Sequence, residues 1–387
     1  MTWFWTTVAT VYGMLVGSFL NVCIFRLPPR VFCFDDLFYE SRPSDLFGDI
    51  FLWWKNLFNS LLKKKKKKEI KLEPFLYAEA FCVATIMPES VITGVMAHTF
   101  NIYKEFLGEE LSVSRPARSF CPKCGEMIKW WMNIPVFSYI LLGGKCYYCK
   151  GKISPRYALN ELLSGLICGS LFYVYGTQNL FVFFYYYLLA ALCIVVFWID
   201  FDHWLILDEI TVPFSLAGTI GAIFVPAKYF TPVNLHELGW SMYNTGELPA
   251  TVKLYQVLDK SLPTWIHLDS FLHSLVGAIF WFAAFYIIGV VGTALAKREA
   301  MGGGDIKFAL LLGAFLGAQK TAAVFFVSVL VGVAFMAPML LMGRKTGKDQ
   351  VPFGCFLTVA TLIVIYLGDK IIYYYLNWPE LLVNIGF

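Results

Sequence analysis

Charge is scarce in this sequence. Only 15% of its 387 residues are Asp, Glu, Lys or Arg, against roughly 25% in an ordinary soluble domain. That excludes a single water-soluble globule with a fully solvated surface. The formal net charge is only +4, too small for the basic footprint that nucleic-acid binding demands, so no nucleic acid is expected as a partner. Histidine is rare, at five residues, and His236 and His267 lack ligand-like spacing; both read as ordinary loop residues. No glycine-rich nucleotide loop occurs. No positively charged region precedes the first apolar run, which therefore reads as an anchor with its N-terminus outside rather than a cleaved signal peptide.

Apolar residues fill the space that charge leaves. They make up 58% of the chain, and the mean hydropathy is +0.63. Runs of about 18 apolar residues cross hydrocarbon as helices. Eight runs qualify as spans: Trp3–Ile24, Ala158–Tyr175, Leu180–Ile199, Ile210–Phe224, Phe271–Leu295, Ile306–Gly317, Thr321–Met342 and Phe353–Tyr375. The expected fold is an all-α polytopic membrane protein of about eight transmembrane helices with a small zinc-stapled cytosolic domain. Residues 1–25 form the first helix, 26–157 the cytosolic domain and 158–387 the main membrane domain. The sixth run is short and crosses only if its glycine-rich approach also lies at membrane depth, where irregular backbone needs protein or a wet cavity against it. The aromatic residues, 18% of the chain, suit spans and interfacial belts.

Basic residues set the orientation. Arg26, Arg30 and Lys63–Lys68 follow the first span, Lys297 and Arg298 the fifth, and Arg344, Lys345 and Lys348 the seventh. All fall on the cytosolic side when the N-terminus is outside. The link 176–179 carries no charge, and the 227–270 connection is not rich in basic residues.

With that topology, the third span ends in "CIVVFWID" at Asp200, and the sixth begins just after Asp305 in "REAMGGGDIKFALLLGAFLG". Two acids far apart in sequence reach one membrane level. Close carboxyls do not easily both ionise, so such a pair shares a proton. One member takes a proton from water while the other donates to a carbonyl. Gly302, Gly303 and Gly304 leave room for tight backbone and for a substrate strand. The plainer alternative makes Asp305 a helix cap at the lipid boundary and the glycines a loop. Asp202, Asp208 and Glu209 also lie nearby, but Asp200 abuts the apolar span directly.

Four cysteines form a second constellation. "CPKC" at Cys121–Cys124 and "CYYC" at Cys146–Cys149 stand twenty-one residues apart. Two C-x2-C pairs supply four thiolates for a closed tetrahedral Zn²⁺ site. A redox C-x2-C explains one pair, not two. The other cysteines (Cys23, Cys33, Cys82, Cys168, Cys193, Cys355) are scattered and read mostly as small buried residues. Upstream, Leu46, Ile50, Trp54, Leu57, Phe58 and Leu61 form a helical stripe that runs into Lys63–Lys68. This fits an amphipathic helix on anionic membrane lipid, or equally a helix packed on its own domain with a solvated lysine tail. Residues 69–118 carry no clear motif.

The chain resembles the bacterial prepilin peptidases, GxGD-type membrane aspartic proteases. "GMLVGSFLNVCIFRLP", the two cysteine stretches with "ISPRYALNELLSG", "IDFDHWLILDEIT", "REAMGGGDIKFALLLGAFLG" and "VPFGCFLTVA" carry the likeness. The resemblance implies that Asp200 and Asp305 are catalytic. It implies cleavage, after a Gly, of the basic leader of type IV prepilins or type II secretion pseudopilins at the cytosolic face of the inner membrane. It further implies N-methylation of the new N-terminus from S-adenosylmethionine by the N-terminal part, with Asn133, Arg156 and Glu161 in the matching stretches. Departures are Ile206-Leu207 where Leu-Pro is usual before the second acid, Met132 in place of an Asp, and Cys355 in place of a Pro. The segment 31–115 and the loop 227–270 are longer than expected. Two other classes remain open: a membrane methyltransferase without proteolysis, and a proton-coupled transporter or assembly scaffold, although no inverted repeat is visible.

Overall fold

The computed structural model describes residues 2–35, 119–121, 123–230, 267–297, 301–341 and 352–376. The Leu46–Leu61 stripe, the Lys63–Lys68 run, segment 69–118, His236, Arg298, Arg344, Lys345 and Lys348 lie outside these residues, as do Cys82 and most of the 227–270 connection. Among the described residues the regular structure is helical: α1 (Thr2–Asp35), α2 (Phe137–Leu141), α3 (Pro155–Leu171), α4 (Leu180–His203), α5 (Asp208–Gly221), α6 (Leu268–Ala296), α7 (Gly303–Leu341) and α8 (Phe353–Leu376). The chain divides into a helical unit, Met1–Ile24 with Trp131–Gly144 and Ile153–Phe387, and a smaller unit, Phe25–Trp130 with Lys145–Lys152.

Helix α4 is the centre of the larger unit. Its first turn is closed by the Asn179 side chain, which accepts from the N–H groups of Phe181 and Val182, as a good N-cap does. An uncharged run, LFVFFYYYLLAALCIVVFWI, follows. Of its most apolar window 72% is buried, against 28–44% in the other spans, so neighbours rather than lipid surround it. Helix α3 begins on Ser154, whose hydroxyl accepts from Arg156 N–H, with Pro155 in the first turn, where its missing N–H costs nothing.

Lipid tails are as apolar as leucine, so these helices gain by close contact rather than by leaving water. Sequence supplies the means. Gly13 of α1 meets Gly165 of α3, Gly17 meets Glu161 and Ser164, and Gly169 meets Thr6 and Thr10, so a GxxxG pattern on each helix lies in the contact. A Cβ at Gly17 would stand 2.8 Å from Glu161 Cα, and one at Gly165 2.9 Å from Thr10 O. Forcing a methyl into such a contact costs about 1–3 kcal/mol.

Among the described residues, six helices are long and apolar enough to cross a membrane, where the sequence shows eight apolar runs. The difference sits in the short pieces. Helix α5 has 14 residues, a rise of about 21 Å, short of the ~30 Å hydrocarbon core. It covers most of the fourth run. The sixth and seventh runs both fall in α7, which is broken at Gly317 (φ 72°, ψ −177°). That conformation is open essentially to glycine alone. Before the break, Ile306 lies by Gly289 of α6 and Gly313 by Gly277. After it, Lys320 pairs with Asp369 of α8 at 2.9 Å, and Gly332 meets Phe356. The halves of α7 therefore run in opposite directions, and the second returns toward the start of α8. Carbonyls freed at the reversal are satisfied: Ala314 O accepts from Tyr185 and Ser274, and Ala318 O from Trp281 Nε1 at 2.9 Å. This is what an apolar surround requires.

Candidate functional site

Asp200 occupies the last turn of α4. The helix stops at Trp204, a left-handed residue (φ 58°, ψ 34°) whose N–H returns to Asp200 O at 2.9 Å. Residues 205–207 then run without regular structure to the start of α5. Ile206 in this link touches the starts of both other helices of the site. A Cβ added at Gly304 would sit 2.9 Å from Ile206 Cβ. One added at Gly354 would sit 2.9 Å from Ile206 Cδ1 and 2.7 Å from Asp200 Oδ2. Glycine at both positions lets α7 and α8 begin against the end of α4. The reward is a specific bond: Cys355 N–H donates to Asp200 Oδ2 at 2.9 Å. A proline at 355 would lack that donor.

Asp305 is half-buried in the first turn of α7, its N–H bonded to Gly302 O at 3.2 Å. It follows Gly304, which packs on Ile206, the same side chain that packs on Gly354 beside Asp200. Gly302 and Gly303 are exposed, and a Cβ on Gly303 would meet nothing within 4 Å. Open backbone therefore leads up to a carboxyl pair of which Asp200 is only 5% exposed.

Two of the three other acids nearby are engaged, and the third, Glu209, is exposed. Asp202 pairs with Arg156 at 2.7 Å, and Asp208 with Lys307. That separates Asp200 from its neighbours in "IDFDHWLILDEIT". A carboxyl pair of this kind, with exposed backbone alongside, can activate water and polarise a carbonyl. The glycines anticipated for substrate approach divide in two: Gly302 and Gly303 are open, while Gly304 is packed under Ile206. Sequence reasoning did not foresee Gly354, the Cys355 N–H or Ile206 as parts of the site. Ile206 and Cys355 were visible only as departures from a familiar pattern.

The four cysteines belong to the smaller unit, where they form two copies of one local structure. In the first, Cys121 N–H bonds Glu126 O at 2.9 Å, Gly125 N–H bonds Cys121 O at 2.8 Å, and Phe120 bridges Met127. In the second, Cys146 N–H bonds Gly151 O at 2.8 Å, Lys150 N–H bonds Cys146 O at 3.0 Å, and Lys145 bridges Lys152. Each C-x2-C is followed by a residue of positive φ, Gly125 at 74° and Lys150 at 55°, which folds the turn back so that both sulfurs point inward. The four Sγ atoms lie within 4.8 Å of one another, with Cys121 and Cys149 at 4.0 Å. Four thiolates at Zn–S distances of about 2.3 Å stand about 3.8 Å apart, so the donor set fits a tetrahedral metal ion. Burial pushes the Cys121 thiol up to about 12. At Cys146 burial is outweighed by N–H groups of Cys149 and Tyr148, and the thiol falls to about 7.

Multiple membrane-length helices, a carboxyl pair where three of them meet and a four-thiol cluster define a polytopic membrane protein of the acid-pair type. The comparisons narrow the class. The bacterial peptidase A24 N-terminal domain matches residues 11–175, and the type IV leader peptidase family matches residues 254–337. The four cysteines fall in the first stretch, Asp305 in the second and Asp200 between them. A prepilin leader peptidase/N-methyltransferase of Neisseria gonorrhoeae is 27% identical over 96% of this chain and 93% of its own length. Proteins of the same description from Pseudomonas aeruginosa and Legionella pneumophila are 29% identical over 67% of this chain and 75% of theirs, and 24% identical over 97% and 96%. No solved structure matches the chain. The chain belongs to the type IV leader peptidase family, in its bacterial form with the A24 N-terminal domain.

Proposed function

We propose that this protein is a prepilin leader peptidase that also N-methylates the end it creates. Family membership and the names of its relatives support the activity. The observation that supports the assignment of residues is that Asp200 lies by Gly354, and Asp305 next to Gly304, two glycines that both pack on Ile206, with exposed glycine backbone alongside. In the reaction, a water held between the carboxyls gives a proton to one of them as its oxygen attacks the scissile carbonyl carbon. The other carboxyl donates a proton to the carbonyl oxygen. Collapse of the diol breaks the C–N bond, and the proton taken from water passes to the departing amine. Gly302 and Gly303 admit the extended peptide on either side of its scissile Gly.

Helices α4, α7 and α8 bring the acids to one end of the helical unit. With the basic residues after the first, fifth and seventh runs, this supports an active site at the cytosolic face of the inner membrane and an N-terminus outside. There a leader in the cytosol and an apolar helix in lipid present the bond between them. Type IV prepilins, or type II secretion pseudopilins, are the substrates, and membrane lipids are the surroundings. The metal at Cys121, Cys124, Cys146 and Cys149 is zinc in a structural role; when bound it cross-links the two turns. S-adenosylmethionine is the methyl donor, and residues 26–157 form the methyltransferase part. Two side chains in the matching stretches already have partners: Arg156 pairs with Asp202, and Glu161 accepts the Val136 N–H at 2.8 Å.

The test is incubation of detergent-solubilised protein with a prepilin, followed by mass spectrometry of the product N-terminus. A shortened, singly methylated product is expected. An intact prepilin, or a cut elsewhere, overturns the reading.

A further inference from the structure

Two residues beyond Asp200, the last turn of α4 carries a second acid that faces the other way. Residues 198 and 202 are four apart and share one helix face, while residue 200 lies on the opposite side. That second face is gripped. Both terminal nitrogens of the Arg156 guanidinium reach Asp202, Nη1 to Oδ1 at 3.0 Å and Nη2 to Oδ2 at 2.7 Å. The same guanidinium lies over the Trp198 ring, 3.8 Å from its centroid. Trp198 Nε1 donates to Asn160 Oδ1 at 2.6 Å, Asn160 Nδ2 donates to Asn21 Oδ1 at 3.0 Å, and Asn21 Nδ2 donates to Tyr157 O at 3.0 Å. Asn160 is 1% exposed, so the chain of bonds is built into the interior. It runs from α1 through α3 to the turn that carries Asp200.

We infer that Arg156 is a positioning residue for peptide cleavage: by clamping Asp202 and Trp198 it fixes the last turn of α4 and thereby aims Asp200 at Asp305. The ion pair is about one-third exposed on each side, so its Coulomb energy alone is modest. Its worth is geometric, because the planar fork and the stacked ring fix direction as well as distance, which a lysine does not. The N-terminal stretch, 11–175, thus takes part in proteolysis as well as in methylation. This rests on the proposed roles of Asp200 and Asp305.

The experiment compares steady-state cleavage of a purified prepilin by wild type, D200N, R156A, R156K and the swap R156D/D202R, with thermal unfolding followed for each. R156A is expected to lower kcat about 10- to 100-fold, as small misplacement of a reacting group does, with KM little changed. R156K keeps the charge and is expected in between, and the swap recovers part of the loss. If R156A does not fold, R156K and the swap carry the comparison. Cleavage by R156A or R156K at the wild-type kcat overturns the inference, as does a swap no better than R156A. So does an R156A enzyme that cuts normally but cannot methylate a pre-cut pilin. D200N separates the two claims: if it cuts at the wild-type rate the functional reading itself falls, whereas an inactive D200N beside a fully active R156A removes only the clamp.

Discussion

The acid pair and the cysteine cluster are built on opposite plans. The cysteines lie within one short stretch, and each pair is shaped by its own turn through local bonds such as Cys121 N–H to Glu126 O and Cys146 N–H to Gly151 O. The acids come from helices more than a hundred residues apart, and their surroundings depend on a third. A local site needs its own few residues and a metal. A distributed site needs the packing of whole helices, so changes that leave every chemical group in place still disable it.

The largest expected effect follows from removing the chemistry itself. D200N or D305N should slow leader cleavage by about 100- to 10,000-fold while the protein still inserts and the cysteine cluster keeps its metal. Retained cleavage alongside lost metal would invert the contrast. Next comes packing. Gly354→Ala places a methyl 2.7 Å from Asp200 Oδ2, so cleavage should fall about 10- to 100-fold, with metal content again unchanged. Cys121→Ser should do the reverse. Metal analysis should find it depleted and limited proteolysis should find the cysteine segment open, while the unfolding of the helical unit shifts little.

Acid should separate the two sites as well. Metal needs all four thiolates, yet without it the Cys121 thiol keeps its proton up to about 12 and Cys146 only up to about 7. Metal binding therefore releases protons, and its strength falls as pH falls. Chelator should strip the metal faster at about pH 5.5 than at about pH 8, read by a colorimetric zinc assay. A rate independent of pH contradicts thiolate ligation. The smallest effect concerns the reversal in α7. Gly317→Ala forces a side chain into φ 72°, ψ −177° at a cost of about 1–3 kcal/mol, visible as a lower unfolding temperature.

Legibility followed the same division. The cysteine spacing pointed directly to the four-thiol cluster, because a C-x2-C turn is a local object. The long apolar runs gave the membrane class and most helix positions, and charge asymmetry put Asp200 and Asp305 at one level. Helix α5 and the two halves of α7 were visible as apolar runs, but the short lengths of α5 and of the first half of α7, and the break at Gly317, are set by neighbours. What surrounds the acids was not readable, because it is made by contact between distant segments. Ile206 looked like a departure from a pattern, yet it fills the space that Gly304 and Gly354 leave. Cys355 looked like a lost proline, yet its N–H holds Asp200. Arg156 stood in a stretch matched to methyl transfer, and only the fold shows it gripping Asp202.

Cooperation between the acids is measured most directly by the residual single-turnover rates of D200N, D305N and the double variant on one prepilin. If the two carboxyls work as a unit, the double variant is no slower than the slower single one. If the losses multiply, the acids act independently, and the shared site proposed for them is wrong.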